Sequence, residues 1–233
     1  MAIILNIDTA TEFASVCLSN DNNIVALITN AEQQNHASFL QPAIQQIITQ
    51  SKINLQDIDA VAVSIGPGSY TGLRVGLASA KGLCYALQKP LIVVNTLQVM
   101  SEAALQYLHK TKTDKKEFLL CPMIDARRKE VFTALYTIDL QIVLNPCALI
   151  IDEHAFQEYL SNHCIYFFGS GSIKSKIDIC HTNAIFIDVQ HNASHMIPHS
   201  MKSFTDKHFA NLAYCEPLYI KEFYSVASSK EKK

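Results

Sequence analysis

The chain has 233 residues, enough for one large domain or two of about 110. Apolar residues make up 49% and charged residues 17%, which excludes a disordered or strongly solvated chain. Lys plus Arg is 19 against 21 for Asp plus Glu, a net charge of -2, so the basic footprint of a nucleic-acid-binding protein is missing. Low charge with high apolar content implies apolar surface that meets a partner, and an RNA substrate would be held by something else. The opening Met1-Ala-Ile-Ile-Leu-Asn-Ile-Asp8 has no basic region and reaches an acid early, so no leader is expected. No apolar run approaches the roughly 18 residues that span a membrane. Seven cysteines are scattered singly without a CxxC pair, which points to reduced thiols and a cytoplasmic setting.

Three short strands are predicted first, at 2–7, 14–18 and 24–29, joined by turns as an antiparallel meander. The period then becomes helical: Phe39, Leu40, Ala43, Ile44, Ile47 and Ile48 share one stripe, with Pro42 starting or kinking that helix. Residues 60–65 read as a strand buried on both faces. Leu73, Leu77, Ala80, Cys84 and Leu87 mark a second helix that stops at Lys89-Pro90. A strand at 91–94 and a third helix from Leu97 to Leu108 follow. The order β-β-β-α-β-α-β-α is an α/β pattern, the ribonuclease-H-like layout of actin, sugar kinases and Hsp70.

Residues 110–117 are polar and charged, the expected linker between a first lobe at 1–109 and a shorter second lobe at 118–222. The second lobe opens with strands at 118–124 and 131–138 around the turn Asp125-Ala-Arg-Arg-Lys129, and a third near 142–149. A helix is predicted at 153–160, strands at 164–168 and 184–189, and a helix at 194–214 interrupted at Pro198. Residues 223–233 are expected to be a disordered tail.

The sharpest segment is Gly66-Pro-Gly-Ser-Tyr-Thr-Gly-Leu-Arg-Val-Gly76. It leaves a strand and opens a helix, so its glycines and free N–H groups suit an anion. It is neither a P-loop nor GxGxxG, and local physics favours a plain turn capped by Ser69 or Thr71 over the anion site. The following helix is rich in small residues, which suits close approach of another helix, and Arg74, Ala78, Lys81 and Tyr85 line a separate face. Asp8, with Thr9 and Thr11, ends the first strand; an acid there handles metal-bound phosphate in phosphotransferases of this architecture, or is a simple turn residue. His36 precedes the first helix as a binding or a satisfied buried histidine. His191, His195 and His199 would share one face of an unbroken helix, but Pro198 interrupts it and no Glu accompanies them, so no metal site is expected.

Several stretches carry a resemblance to a known family: Ile7-Asp-Thr9, His36, the glycine-rich segment 66–76, Lys89-Pro-Leu-Ile-Val-Val-Asn95, Asp125-Ala-Arg-Arg-Lys-Glu-Val131 and Pro217-Leu-Tyr219. They run in order along nearly the whole chain. On them the sequence resembles the TsaB (YeaZ) family of glycoprotease-like proteins, paralogues of the tRNA-modifying TsaD. The resemblance implies the two-lobed actin-like fold. It implies a non-catalytic subunit that binds and activates TsaD, which transfers threonylcarbamoyl to the N6 of the adenosine beside the tRNA anticodon. TsaE is an implied further partner, tRNA is contacted only indirectly, and a homodimer through the same helices is open. The partner face would comprise His36, Phe39, Leu40, Ala43, Ile47, Arg74, Ala78, Lys81 and Tyr85, while Asp8, Thr9 and Thr11 would line a degenerate nucleotide cleft with no catalytic residue, metal or cofactor. Where TsaD has histidine metal ligands after the matching Asn, this chain has Thr96 and Met100 near those positions. The competing expectations are an ATP-dependent phosphotransferase or metal-dependent hydrolase of the same fold, which would need Asp8, and a direct tRNA binder.

Overall fold

The computed structural model describes residues 1–30, 35–111 and 117–221. The body of the expected linker and the whole expected tail at 223–233 lie outside the described residues. Two five-stranded sheets form the frame. The first contains β1 (Ile3–Asp8), β2 (Ser15–Asn20), β3 (Asn23–Thr29), β4 (Ala60–Gly66) and β5 (Leu91–Asn95) in the order β3-β2-β1-β4-β5. The second contains β6 (Leu119–Asp125), β7 (Glu130–Tyr136), β8 (Ile142–Ile150), β9 (Ile165–Phe168) and β10 (Ala184–Phe186) in the order β8-β7-β6-β9-β10. The two orders are the same pattern. Each has an antiparallel meander whose first strand pairs in parallel with the fourth, and the fourth lies beside the fifth. The repeat, invisible in the sequence, is plain in the topology.

Helices α1 (His36–Ser51) and α2 (Tyr70–Leu87) make the crossovers of the first sheet and cover its outer face. Period-two alternation sorts β1: Leu5 and Ile7 meet Leu40, Ile47, Leu77 and Cys84, whereas Ile4 points the other way. On that inner face Ile4, Ala62 and Ile92 pack on Val99 of α3 (Thr96–Lys110) and on Met196 and Ile197. The opposite side of α3 offers Leu97, Met100, Ala104 and Leu108 to Leu120, Tyr136 and Phe168 of the second sheet. So α3 is the layer between the sheets.

The second half departs from expectation in five places. The helix expected at 153–160 is one turn, α4 (Gln157–Leu160), and the strand expected at 184–189 is only β10. A short helix for which no element was predicted, α5 (Ser170–Ser175), follows β9; Lys174 and burial against β6 hold it there. The helix expected at 194–214 is a 3-10 turn at Ala193–Met196 followed by α6 (Ile197–Thr205). Pro198 sits in the first turn of α6, where a missing N–H costs nothing, so it starts a helix rather than interrupting one. The expected lobe at 118–222 is also divided. Ala193, Met196 and Ile197 pack on the first sheet, Ala210 bridges to Leu91, and Leu218 N–H donates to the Ile65 carbonyl at 2.8 Å. The apolar inner face of the first sheet needs cover that α3 alone does not supply, and Ala193, Met196, Ile197, Met201 and Phe204 provide it, while Ala210, Leu212 and Cys215 pack with the outer-face core.

Candidate functional site

Parallel pairing of β1 with β4 brings the end of each strand to one edge, where Ser64 Oγ donates to Asp8 Oδ1 at 2.7 Å. The Ala10 N–H donates to the same oxygen at 3.1 Å. The other carboxylate oxygen, Oδ2, faces His191 Nε2 at 3.3 Å. Asp8 is fully buried and its own burial would raise its pKa. The hydrogen bond and charge of His191, the Ser64 hydroxyl and the Ala10 N–H together outweigh burial and hold the carboxyl below its usual range. Thr11 Oγ1 lies 3.4 Å from the same Nε2. Because Asp8 and Thr11 meet one nitrogen of His191, the ring cannot relay a proton between them across its two nitrogens.

The turn after β1 is packed from below by the glycine-rich segment. Thr9 Oγ1 donates to the Gly72 carbonyl at 2.7 Å. A side chain on Gly72 would stand 2.1 Å from the Thr9 carbonyl oxygen, and one on Gly76 would stand 2.3 Å from Thr9 Oγ1. These glycines therefore admit the chain's own turn, not an approaching helix, and Gly82 alone faces open space within 4 Å. Ser69 is the helix cap, accepting from the Gly72 N–H at 3.2 Å. Of the two readings of this segment, the capped turn accounts for the contacts present.

Between the sheets lies a cleft with two compartments of about 610 and 680 Å³ that share Thr11, Glu12, Ile124, Asp125 and Ser170. His191 and Met100 line the first; His36, Tyr70 and Arg127 line the second. On its far wall the turn between β6 and β7 holds Arg127 and Arg128 at positive φ, +69° and +53°. Lys174 pins this turn through Asp125 and the carbonyls of Arg128 and Glu130. Partial burial would raise the Asp125 pKa, but the Lys174 ammonium and the Arg127 N–H hold it low. Thr96 is buried behind Asn95, the cap of α3, and the Met100 methyl would lie 2.4 Å from a side chain on Gly169. A thioether does not fit a hard divalent cation, a lone neutral hydroxyl holds one only beside carboxylates or phosphate, and Asp8 already faces an imidazole. Among the described residues no three His, Cys, Asp or Glu side chains converge as metal ligands.

The residues expected on a partner face divide into two groups. Leu40, Ala43 and Ile47 are buried in the chain's own core, because their stripe faces the first sheet, and Phe39 packs half-buried against it. His36 is buried too, with Nε2 2.8 Å from the Thr11 carbonyl. Arg74, Ala78 and Tyr85 point outward, and Tyr85 is 80% exposed. Lys81 is half-buried and donates to the carbonyls of Ala213 and Cys215 at 3.2 and 3.1 Å. Sequence reasoning missed Ser64 and His191 as partners of Asp8, and Tyr219 as a partner of Arg74. Only the Pro217-Leu-Tyr219 match marked the last of these in advance.

The family model described as TsaD, tRNA N6-adenosine threonylcarbamoyltransferase, matches residues 23–212. The chain belongs to this family. Within it, the chain is 39% identical over 136 residues to the tRNA threonylcarbamoyladenosine biosynthesis protein TsaB of Escherichia coli, covering 58% of this chain and 55% of that protein. It is 30% identical over 133 residues to the Bacillus subtilis TsaB, covering 57% and 54%. A transferase of the family from Zymomonas mobilis is 30% identical over 114 residues, covering 42% and 31%. The chain spans about half the length of the curated TsaB relatives it matches. YeaZ from Pseudomonas aeruginosa superposes with a TM-score of 0.78 at 21% identity, over 94% of this chain and 100% of that one. That likeness fixes the fold as the two-lobed YeaZ type that the resemblance implied, within the α/β layout expected from the element order. No helix among the described residues is long and apolar enough to cross a membrane.

Proposed function

We propose that the chain is a non-catalytic cytoplasmic subunit of tRNA threonylcarbamoyladenosine synthesis that docks on TsaD and activates it, with TsaE as a further partner. The observation that carries this reading is the outward face of the α1–α2 pair. Neither helix contains an acidic residue, α1 contains no Lys or Arg, and the cations of α2 are Arg74 and Lys81. Between the helices a groove of about 460 Å³ is lined by Pro42, Ile44, Ile48, Leu55 and Leu83 with Gln41 and Gln45. Depletion of charge around exposed aromatic and small side chains is the composition of a protein interface. A solvated helix face would carry several charges over this length. The surroundings of Asp8 support a cleft without phosphotransfer chemistry, since this carboxylate, the one fully buried among the described residues, accepts from Ser64 and Ala10 through Oδ1 and faces His191 through Oδ2.

The test is reconstituted tRNA modification by TsaD and TsaE with and without this chain. Modification that requires the wild-type chain and is equally restored by a folded Asp8→Asn variant is the expected outcome. No dependence on the chain refutes the reading. Restoration by wild type but not by Asp8→Asn returns the cleft to a chemical role, the phosphotransferase or hydrolase alternative.

A further inference from the structure

Arg74 stands at the rim of the uncharged helix face with its guanidinium already oriented. Its Cζ lies 4.0 Å from the centre of the Tyr70 ring, and its Nε donates to the Tyr219 hydroxyl at 3.0 Å. The two tyrosine rings are themselves 5.5 Å apart. The segment 206–221, a strap over α2, brings Tyr219 to this place. The Leu218 N–H bond to Ile65 seats it, and Gly66, at φ +126°, leaves room that a side chain would close 2.7 Å from the Leu218 carbonyl. Among the described residues no carboxylate forms an ion pair with Arg74. A guanidinium held by the Tyr70 side chain and by its Nε bond to Tyr219 has given up much of its rotamer freedom before any partner arrives. Its terminal nitrogens keep the planar fork that matches a carboxylate.

Resting on the docking reading above, we propose that Arg74, held by Tyr70 and Tyr219, is the anchor that takes a carboxylate from a protein partner whose docking face is otherwise uncharged. The other cation of α2 offers little competition, because Lys81 is engaged by the Ala213 and Cys215 carbonyls. The chemistry also separates a different protein from a second copy of this chain. Neither α1 nor α2 carries an acid, so a copy docked through its own helix pair offers Arg74 no helix carboxylate. The acids of the strap are Asp206, which pairs with Lys202 at 3.8 Å, and Glu216, and both lie outside α1 and α2. Charge complementarity therefore favours a heterologous partner, and the strap becomes part of the interface by positioning its anchor.

The experiment measures TsaD binding by the full chain at about 50 mM and about 500 mM salt, for wild type, Arg74→Gln and Tyr219→Phe. Wild type binds and weakens with salt. Arg74→Gln binds at least about tenfold more weakly at low salt and loses most of the salt dependence, as removal of a charge-assisted bidentate contact requires. Tyr219→Phe keeps the ring, removes the hydroxyl, and gives a smaller loss with the salt dependence retained. Arg74→Gln with unchanged affinity and salt dependence overturns the anchor while leaving TsaD docking intact. No binding by wild type overturns the docking reading itself. Self-association of the chain that disappears in Arg74→Gln or in Glu216→Gln assigns the carboxylate to a second copy and overturns the heterologous partner.

Discussion

His191, from the connection after β10, places Nε2 3.3 Å from Oδ2 of Asp8 at the end of β1, 183 residues away in sequence. Both side chains are almost fully buried, at 9% and 1% exposure. Removing His191 leaves the buried Asp8 carboxylate with only the Ser64 hydroxyl and the Ala10 N–H, a loss of up to about 3–5 kcal/mol. His191→Ala is therefore expected to lower the denaturation free energy by that order at neutral pH. The double variant Asp8→Asn/His191→Ala is expected to lose less than the sum of the singles, and additive losses would show the pair to be uncoupled.

The same carboxylate fixes an acid response. Asp8 titrates below its usual 3.8 in the folded chain, so it contributes stability above pH 3.8 that is lost as pH falls through the folded value. Chemical denaturation between about pH 5 and about pH 2.5 should lose less stability in Asp8→Asn than in wild type. Equal slopes would remove Asp8 from the acid transition.

Burial also holds His199, and His195 near it, below the usual 6.5, against the charge of Glu102. The unfolded chain then binds protons that the folded chain refuses as pH falls below 6.5, so stability declines toward acid. His199→Leu should show a smaller drop in denaturant midpoint between about pH 7.5 and about pH 5.5 than wild type. An unchanged drop would place the titration elsewhere.

Three glycines of one helix have different expected responses. Gly72→Ala and Gly76→Ala force contacts of 2.1 and 2.3 Å on Thr9 and should each cost about 1–3 kcal/mol or more. Gly82→Ala meets nothing within 4 Å and should stabilise by up to about 1 kcal/mol through helix propensity. Thr9→Ala should recover part of the loss in Gly76→Ala, where the contact is with the hydroxyl, and none in Gly72→Ala, where it is with the backbone. Denaturant midpoints of the five variants decide each point.

The helix residues sort by the face they occupy. Leu40→Ala, in the core at 0% exposure, should cost about 2–5 kcal/mol of stability. Tyr85→Ala should leave stability within about 0.5 kcal/mol of wild type. On the docking reading, Tyr85→Ala weakens TsaD binding by about 2 kcal/mol, as loss of an exposed aromatic anchor does. A stable Leu40→Ala, or a Tyr85→Ala that binds unchanged, would contradict the respective assignment.

Local chemistry alone determined the first half of this protein. Alternating and continuous apolar runs place β1 to β5 within two residues, and helical periods mark the buried stripes of α1 to α3, because each stripe repeats over several turns; the ends of α1 and the start of α2 lie three residues beyond the apolar markers. The outward position of Arg74, Ala78 and Tyr85 follows from the same spacing, whereas the choice of Ser69 over Thr71 as the cap was decided by its contact with the Gly72 N–H. Tertiary structure decided what periodicity cannot carry. Burial on one side of a helix looks alike whether the cover is the chain's own sheet or a partner, so Leu40, Ala43 and Ile47 were resolved only by packing. The Gly/Ser run of α5 and the bent course of 193–221 depend on contacts with β6 and with the first sheet. Asp8 and His191, like Arg74 and Tyr219, meet because the last segment returns to the first lobe, and no local rule encodes a return across the whole chain.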